Sequence, residues 1–432
     1  MSEVSAVEEL HPGLVKKDLY EIGEIPPLGH VPKQMYAWAI RRERHGPPED
    51  AMQCEVVDVP LPDSHEVLIM VMAAGVNYNG VWAGLGIPIS PFDYHKAEYH
   101  IAGSDAAGIV YAVGSKVTRW KVGDEVVVHC NQVSGDDEEC NGGDPMLSPS
   151  QKIWGYETPD GAFAQFTCIQ AQQVMPRPKH LTWEECGCYT LTLATAYRML
   201  FGHRPHILAP GQNVLVWGAS GGLGAFAVQL CATVGANAIG IISDESKRDF
   251  VMGMGAKGVI NRNDFDCWGQ LPDVDDAKAY ADYMKRVRPF GKAIWDITGK
   301  GNDVDIVFEH PGEATFPVSC FLVKRGGMVV FCAGTTGYNL TFDARFVWMR
   351  QKRIQGSHFA HLKQAAEANK LVLERRIDPT MSEVFSWEDI PKAHTKMWKN
   401  VHKPGNMAVL VQSKYPGRRT IEDCIDDMFE DK

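Results

Sequence analysis

No uninterrupted apolar run in this 432-residue sequence is long enough to cross a bilayer; the most apolar stretch, Val214 to Ile242, is broken by glycines and by Ser220. The acidic N-terminus, MSEVSAVEELHPGLVKKDLYEIGEIPPLGHVPKQ, lacks the apolar centre of a secretory signal and reads as a settling arm. Positive charge is not in excess either. Lys and Arg number 43 against 54 Asp and Glu, a formal net charge of -11, so no net cationic field draws a nucleic acid, although a local basic patch for a phosphorylated substrate stays open. CxxC pairs are missing: the eleven cysteines are scattered, Cys186 and Cys188 form only a CxC, and Cys130 and Cys140 do not make a structural zinc loop. These absences set aside a membrane span, a nucleic-acid partner and a disulfide scaffold; with eleven thiols and 15 histidines a metal site stays open, but the spacing does not argue for one. The expectation is a soluble, cytoplasmic protein with buried thiols.

The chain is long enough for two domains, and its patterning changes midway. Between Gln34 and Asp124, short apolar runs (MYAWAI, CEVVDVP, EVLIMVMAAGV, AAGIVYAVG, DEVVVHC) alternate with turn residues, which predicts a mostly β domain. A loop rich in Asp, Gly and Pro, VSGDDEECNGGDPMLSPS, follows as functional surface or a contact arm, and then a strand candidate in AFAQFTCI. Thr182 with Glu185 three residues later marks a helix start within Leu181 to Leu200. After a turn-rich linker at Pro205 to Gly211, apolar runs at 213–217, 238–242, 258–260, 304–308 and 327–332 read as the strands of a parallel sheet, with a helix from Asp275 to Lys285 in a long crossover. From Arg350 the chain is expected to return to the first domain, through helices near Leu362 to Leu371 and Ile390 to Asn400 and strands VFSWED and MAVLVQ; the final IEDCIDDMFEDK reads as frayed. The expected division is 1–204 for the first part of a substrate domain, 205–350 for a dinucleotide-binding domain and 351–432 for the return.

The strongest motif is VLVWGASGGLG, after a strand and at a helix start. Gly218, Gly221, Gly222 and Gly224 let the turn approach a pyrophosphate, Ala219, Ser220 and Leu223 complete it, and the amides of the helix start meet the negative charge. The next strand ends at Ser243-Asp244-Glu245, followed by Lys247 and Arg248. An acidic side chain there suits the ribose hydroxyls of NAD, whereas Ser243 with nearby cations suits the 2′-phosphate of NADP; Lys247 and Arg248 are also compatible with a solvated helix face. NADPH is the favoured cofactor.

The segments GVNYNGVWAGLGIPIS, YHIAGSD, GDEVVVHCNQ, IWGYETPDGAFAQF, NVLVWGASGGLG, VDIVFEHPG and WMRQKRIQGSHFA, running from about Tyr36 to Val411, resemble crotonyl-CoA carboxylase/reductases of the ethylmalonyl-CoA pathway type, zinc-free members of the medium-chain dehydrogenase/reductase superfamily. The resemblance implies an α/β fold in which a split, GroES-like, β-rich substrate domain flanks a Rossmann domain. It also implies hydride delivery from NADPH to the β-carbon of crotonyl-CoA, capture of CO2 at the α-carbon to give ethylmalonyl-CoA, and a homotetramer arranged as a dimer of dimers. Carried over residue by residue, it places Asn79, Tyr156, Glu157 and His358 in a CO2 pocket: the Asn79 amide orients a CO2 oxygen, His358 is a second polar contact, Glu157 organises His358 or a water, and the Tyr156 backbone closes the pocket. Each has a plainer reading, Asn79 as a turn residue, His358 as a satisfied histidine and Glu157 as an ion-pair residue; only their joint fit selects the pocket. Arg345 and Phe346 fall where the family handles coenzyme A or meets a neighbouring subunit, Phe346 in place of a tyrosine, so one hydroxyl donor is lost. Arg345 pairs with a coenzyme A phosphate or with a salt-bridge partner. Where zinc alcohol dehydrogenases carry early Cys and His ligands, this chain has Asn77-Tyr-Asn79 and Ala102-Gly103-Ser104-Asp105. Simple reduction of crotonyl-CoA or acryloyl-CoA is the alternative. The strand at Met328 to Cys332 could meet a neighbouring subunit or be covered within its own chain.

Overall fold

The computed structural model describes residues 13–430; the first residues of the acidic N-terminal arm lie outside them. The chain divides into two compact units, one formed by 1–191, 361–373 and 379–432, the other by 192–360 and 374–378.

The first unit is built on a seven-stranded sheet whose centre is the eleven-residue strand Glu66–Val76. All but its first residue are buried, and the pairing explains why the sequence there is apolar without alternation. One side is lined by Ala106–Val113. The other is shared end to end by Phe166–Gln170, which pairs with Glu66 to Met70, and by Asn406–Leu410, which pairs with Ala73 to Val76. The C-terminal segment therefore completes the sheet begun near the N-terminus. A three-stranded sheet, Gln53–Asp58, Gln34–Ile40 and His100–Ile101, lies in the same unit. The helix Trp183–Gly187 begins with the expected capping box, Thr182 and Glu185 each bonding the other's backbone.

The final segment is a helix, Ile421–Glu430, and not a frayed end. Cys424, Ile425 and Asp427 are buried on it, Arg418 donates to both carboxylate oxygens of Asp427 at 2.8 and 2.5 Å, and the Ile25 amide donates to Met428 Sδ at 3.0 Å. Of the acidic residues that suggested solvation, Glu422, Asp426 and Glu430 are exposed, whereas Asp427 turns inward to Arg418.

The second unit holds six parallel strands in the spatial order Gly258–Asn261, Asn237–Ile242, Asn213–Val216, Val304–Glu309, Val323–Phe331 and Arg353–Gly356. Numbered along the chain this is 3-2-1-4-5-6, the order of a dinucleotide-binding sheet with its switch point beside the first strand. Two expectations change here. The sheet does not close before Arg350: Arg353–Gly356 adds a sixth strand, and the unit runs from 192 to 360 in place of the expected 205 to 350. Met328 to Cys332 does not offer a free edge, because the strand that carries Met328 pairs with neighbours on both sides. The core gathers Trp217, Phe290, Val287, Ile294, Phe316 and Val329, with Trp217 edge-on to Trp268 at 5.3 Å. The expected crossover helix is twice as long as read, Ala277–Thr298, with Tyr283, Val287, Phe290 and Ile294 recurring on its buried face.

Candidate active site

In the second unit, strand Asn213–Val216 feeds through a turn into the helix Gly222–Val234, whose N-cap is Gly221. Three positions in this turn differ in what they demand. Gly218 has φ +56°, and a Cβ there would meet His310 Nε2 at 2.6 Å. A Cβ on Gly224 would lie 2.3 Å from the Gly218 carbonyl oxygen, so the helix packs on the turn with no room for a side chain. A Cβ on Gly221 would have its nearest neighbour at 3.4 Å, which leaves this face open to a ligand. The first residues of the helix present amides without intrahelical partners, and their dipole favours an anion. The residues fit a dinucleotide pyrophosphate.

At the end of the next strand Lys247 Nζ donates to Ser243 Oγ at 3.4 Å, so an ammonium and a hydroxyl stand together where a 2′-phosphate would be received. Arg248 is already engaged, with Glu245 and with the Val259 carbonyl at 2.8 Å. Asp244 turns back to accept from the Ser246 amide and hydroxyl at 2.9 and 2.6 Å. Its carboxylate is thereby occupied as a cap.

In the first unit Asn77 stands at the N-cap position of the helix Tyr78–Leu85, its side chain turned to Asp105 rather than to the helix amides, which puts Asn79 in the first turn. Asn79 is buried; Nδ2 donates to Ser104 Oγ at 2.7 Å, and Oδ1 has no hydrogen-bond partner. A hydroxyl both donates and accepts, so turning the amide over keeps the Ser104 contact and presents the NH2 group to the same space. Beside it, the Asp105 carboxylate is filled: it accepts from Asn77 Nδ2 at 2.9 Å, from the Leu191 amide at 2.7 Å and from the Thr190 hydroxyl. Burial pushes this carboxyl up to about 6 against those donors.

Tyr156 and Glu157 follow Gly155 in a tight turn. The Gly155 Cα approaches the Gly103 carbonyl so closely that a Cβ would lie 2.0 Å from its oxygen. The segment Gly103-Ser104-Asp105 thus joins the Asn79 side to the Tyr156-Glu157 side within one unit. Glu157 Oε2 accepts from the Ile153 amide at 2.6 Å, and the Tyr156 hydroxyl donates to the Ile89 carbonyl at 2.6 Å. Burial holds the Glu157 carboxyl above its ordinary value, opposed by the Ile153 amide and by a hydrogen bond from the Tyr94 hydroxyl. Ser104, Asp105 and Tyr94 were not singled out from the sequence. The Gly-Ser-Asp run was visible only as a departure from a zinc-ligand pattern, and nothing along the chain pairs Tyr94 with Glu157.

His358 belongs to the second unit, just past the sixth strand. The Ser357 amide donates to the Phe331 carbonyl at 2.8 Å, and Phe359 packs edge-on against the imidazole at 4.6 Å. Water reaches the ring, yet the protein around it and the positive charge of Arg198 lower its pKa, which favours the neutral ring. Arg345 lies in the short helix Ala344–Trp348 and forks onto Asp343, Nε to Oδ1 at 3.0 Å and Nη2 to Oδ2 at 2.7 Å. Phe346 packs on Phe321 at 4.9 Å. Of the two readings for Arg345, the structure contains the salt bridge.

Among the described residues no group of three or more His, Cys, Asp or Glu side chains is placed to hold a metal ion, and no helix is long and apolar enough to cross a membrane. Asn77 and Asn79 offer neutral amides and Asp105 has both oxygens taken. The donor set does not fit zinc.

The family described as "Alcohol dehydrogenase GroES-like domain" matches residues 63–179, and that described as "Zinc-binding dehydrogenase" matches 222–374. The chain is 75% identical to the crotonyl-CoA carboxylase/reductase of Cereibacter sphaeroides over 95% of each chain. A solved crotonyl-CoA carboxylase/reductase superposes with TM-score 0.95 at 74% identity, covering 97% of this chain and 98% of its own. Another, solved in complex with NADP, gives TM-score 0.88 at 47% identity over 92% and 99%. The GroES-like and nucleotide-binding parts place the fold in the medium-chain dehydrogenase/reductase superfamily, and the chain belongs to the crotonyl-CoA carboxylase/reductase family.

Proposed function

We propose that this chain is an NADPH-dependent enzyme that reduces crotonyl-CoA and carboxylates it with CO2 to ethylmalonyl-CoA. The observation that carries the reading is the buried Asn79 amide, held by Ser104 with one polar atom unpaired, in a chain 75% identical to a crotonyl-CoA carboxylase/reductase. An unpaired buried amide group costs about 1–3 kcal/mol, a cost that a bound polar ligand removes.

The turn from Gly218 to Gly224 binds the pyrophosphate of NADPH, and Ser243 with Lys247 receives the 2′-phosphate; Arg248 adds charge while held by Glu245. The nicotinamide, when bound, supplies the hydride that adds to the β-carbon of the enoyl thioester. The electron pair of the double bond then moves into the thioester, and the α-carbon attacks CO2 to form the new carbon-carbon bond. Asn79 directs a CO2 oxygen through its NH2 group, and neutral His358 is a second donor. Glu157 fixes the turn that presents the Tyr156 backbone, and its raised pKa makes its distance from the α-carbon matter, since a proton delivered there yields butyryl-CoA. Arg345 contributes to coenzyme A handling only by leaving Asp343, and Phe346 only through its ring. The working form is a cytoplasmic homotetramer, a pair of dimers.

Incubation with crotonyl-CoA, NADPH and isotopically labelled bicarbonate yields labelled ethylmalonyl-CoA. Asn79→Ala or His358→Asn lowers the carboxylated fraction at limiting CO2 while NADPH binding persists. Ethylmalonyl-CoA as sole product in both variants would remove the CO2 pocket from these residues. Butyryl-CoA from the unaltered protein at saturating bicarbonate would replace carboxylation with simple reduction.

A further inference from the structure

Trp217 is the last residue before Gly218, and it is gripped at both ends. Its carbonyl oxygen lies 3.1 Å from His310 Nε2. A carbonyl only accepts, so Nε2 carries the proton and the ring is neutral; burial lowers its pKa to about 4. The Trp217 indole Nε1 donates to Ser319 Oγ at 2.9 Å, and Ser319 Oγ donates to Glu309 Oε2 at 2.5 Å. The other Glu309 oxygen accepts from the Thr315 hydroxyl at 2.7 Å and the Gly312 amide at 3.1 Å. Glu309 and Ser319 are fully buried, and Trp217 is 1% exposed. Three donors therefore converge on a carboxylate that takes no part in the proposed chemistry. The adjacent His310 packs so closely on Gly218 that no side chain fits there.

We propose that Glu309 and His310 act together as positioning residues for the dinucleotide turn, one holding the indole and the other the carbonyl of Trp217. Strand Val304–Glu309 lies beside strand Asn213–Val216 in the sheet, so the two residues are consecutive on one strand end and reach Trp217 from both sides. The Trp217 backbone sets the direction in which the chain enters Gly218, and hence where the amides of the following helix point. In its ionised form Glu309 accepts from Ser319, Thr315 and Gly312 without offering a proton of its own, while burial pushes its pKa up to about 7 against those donors. An amide at this position has one acceptor oxygen and turns two donor hydrogens toward hydroxyls that already donate.

This inference rests on NADPH as the cofactor, and the test separates the two. NADPH binding to the full-length protein is measured by fluorescence titration, alongside thermal unfolding and the KM values for NADPH and crotonyl-CoA. Glu309→Gln and Ser319→Ala are each expected to weaken NADPH binding about tenfold, the loss of one hydrogen bond to the buried carboxyl, with the crotonyl-CoA KM unchanged. His310→Gln, whose amide can still donate to the Trp217 carbonyl, retains more affinity than His310→Ala. If Glu309→Gln does not fold, Ser319→Ala and the His310 pair decide. Unchanged NADPH affinity in these variants, or a shift of both KM values in step with lost thermal stability, would overturn the positioning role while leaving the function intact. Failure of the unaltered protein to bind NADPH would overturn both.

Discussion

Gly221 and Gly224 lie in one turn yet answer to different demands, and substitution separates them. An alanine at 224 is driven into the Gly218 carbonyl and the Ala219 backbone, which cannot give way as a flexible side chain would. Gly224→Ala is expected to cost about 1–3 kcal/mol, read as a lower melting temperature. Gly221→Ala meets nothing closer than 3.4 Å and keeps the extended backbone an N-cap uses, so its stability is unchanged while NADPH affinity falls. Equal losses of stability in the two variants would contradict the open face. The sequence shows four glycines at this turn without saying which one packs and which one faces a ligand. The same limit holds in the first unit. Asn79, Tyr156, Glu157 and His358 were legible as members of a family pattern, but Ser104, which holds Asn79, and Tyr94, which holds Glu157, act across 25 and more residues of chain and leave no local pattern.

At the scale of elements, patterning located the strands and misjudged the ends. The helix Ile421–Glu430 exposes Glu422, Asp426 and Glu430 on one face and buries Cys424, Ile425 and Asp427 on the other; composition registers the first and spatial packing reveals the second. Removing residues 421–432 strips a buried face from the first unit and leaves Arg418 without Asp427, so a lower melting temperature and faster proteolysis of the first unit are expected. An unchanged melting temperature would return this helix to the status of a tail. The sixth strand, Arg353–Gly356, escaped notice for the opposite reason: RIQG is short and polar, and pairing with Val323–Phe331 makes it a strand where composition does not. The crossover helix Ala277–Thr298 was read short although its buried residues keep helical spacing past Pro289.

For the molecule as a whole, buried ionisable groups set the response to acid. His100, His310 and His394 are held down to about 3, 4 and 4 by burial, while Asp105 and Glu309 are pushed up to about 6 and 7. Between about pH 4.5 and 6 the unfolded chain protonates the three histidines, and the folded chain protonates the two carboxyls. The unfolded state binds more protons, so stability declines as pH falls through this window; His95 and His358, also held down, add to the decline, and Glu157 and Asp160, held up by burial, offset part of it. Glu309→Gln removes a proton uptake that favours the fold, so its melting temperature should fall more steeply with acid than that of the unaltered protein; a shallower slope would contradict the burial of an ionisable group there. The cysteines give a simpler expectation. All eleven are free thiols; Cys54 is exposed and Cys140, Cys168 and Cys332 are half-buried, so a thiol reagent should modify at most these four in the native protein and the seven buried ones only on unfolding, with no effect of reductant on the melting temperature.

The pairing of Met407 with Val76 also carries a consequence for synthesis. On the ribosome, the central strand of the first unit emerges some 330 residues before the strand that covers part of its edge, a wait of roughly 20 to 60 seconds at ordinary elongation rates. The six strands of the second unit lie within one continuous stretch and are all available sooner. For that interval Ala73 to Val76 presents unpaired backbone on an apolar strand, the kind of edge that recruits a neighbouring nascent chain. Yield of the intact protein should therefore depend on how quickly translation reaches Leu410 and on whether a chaperone shields that edge, even where the finished fold is stable.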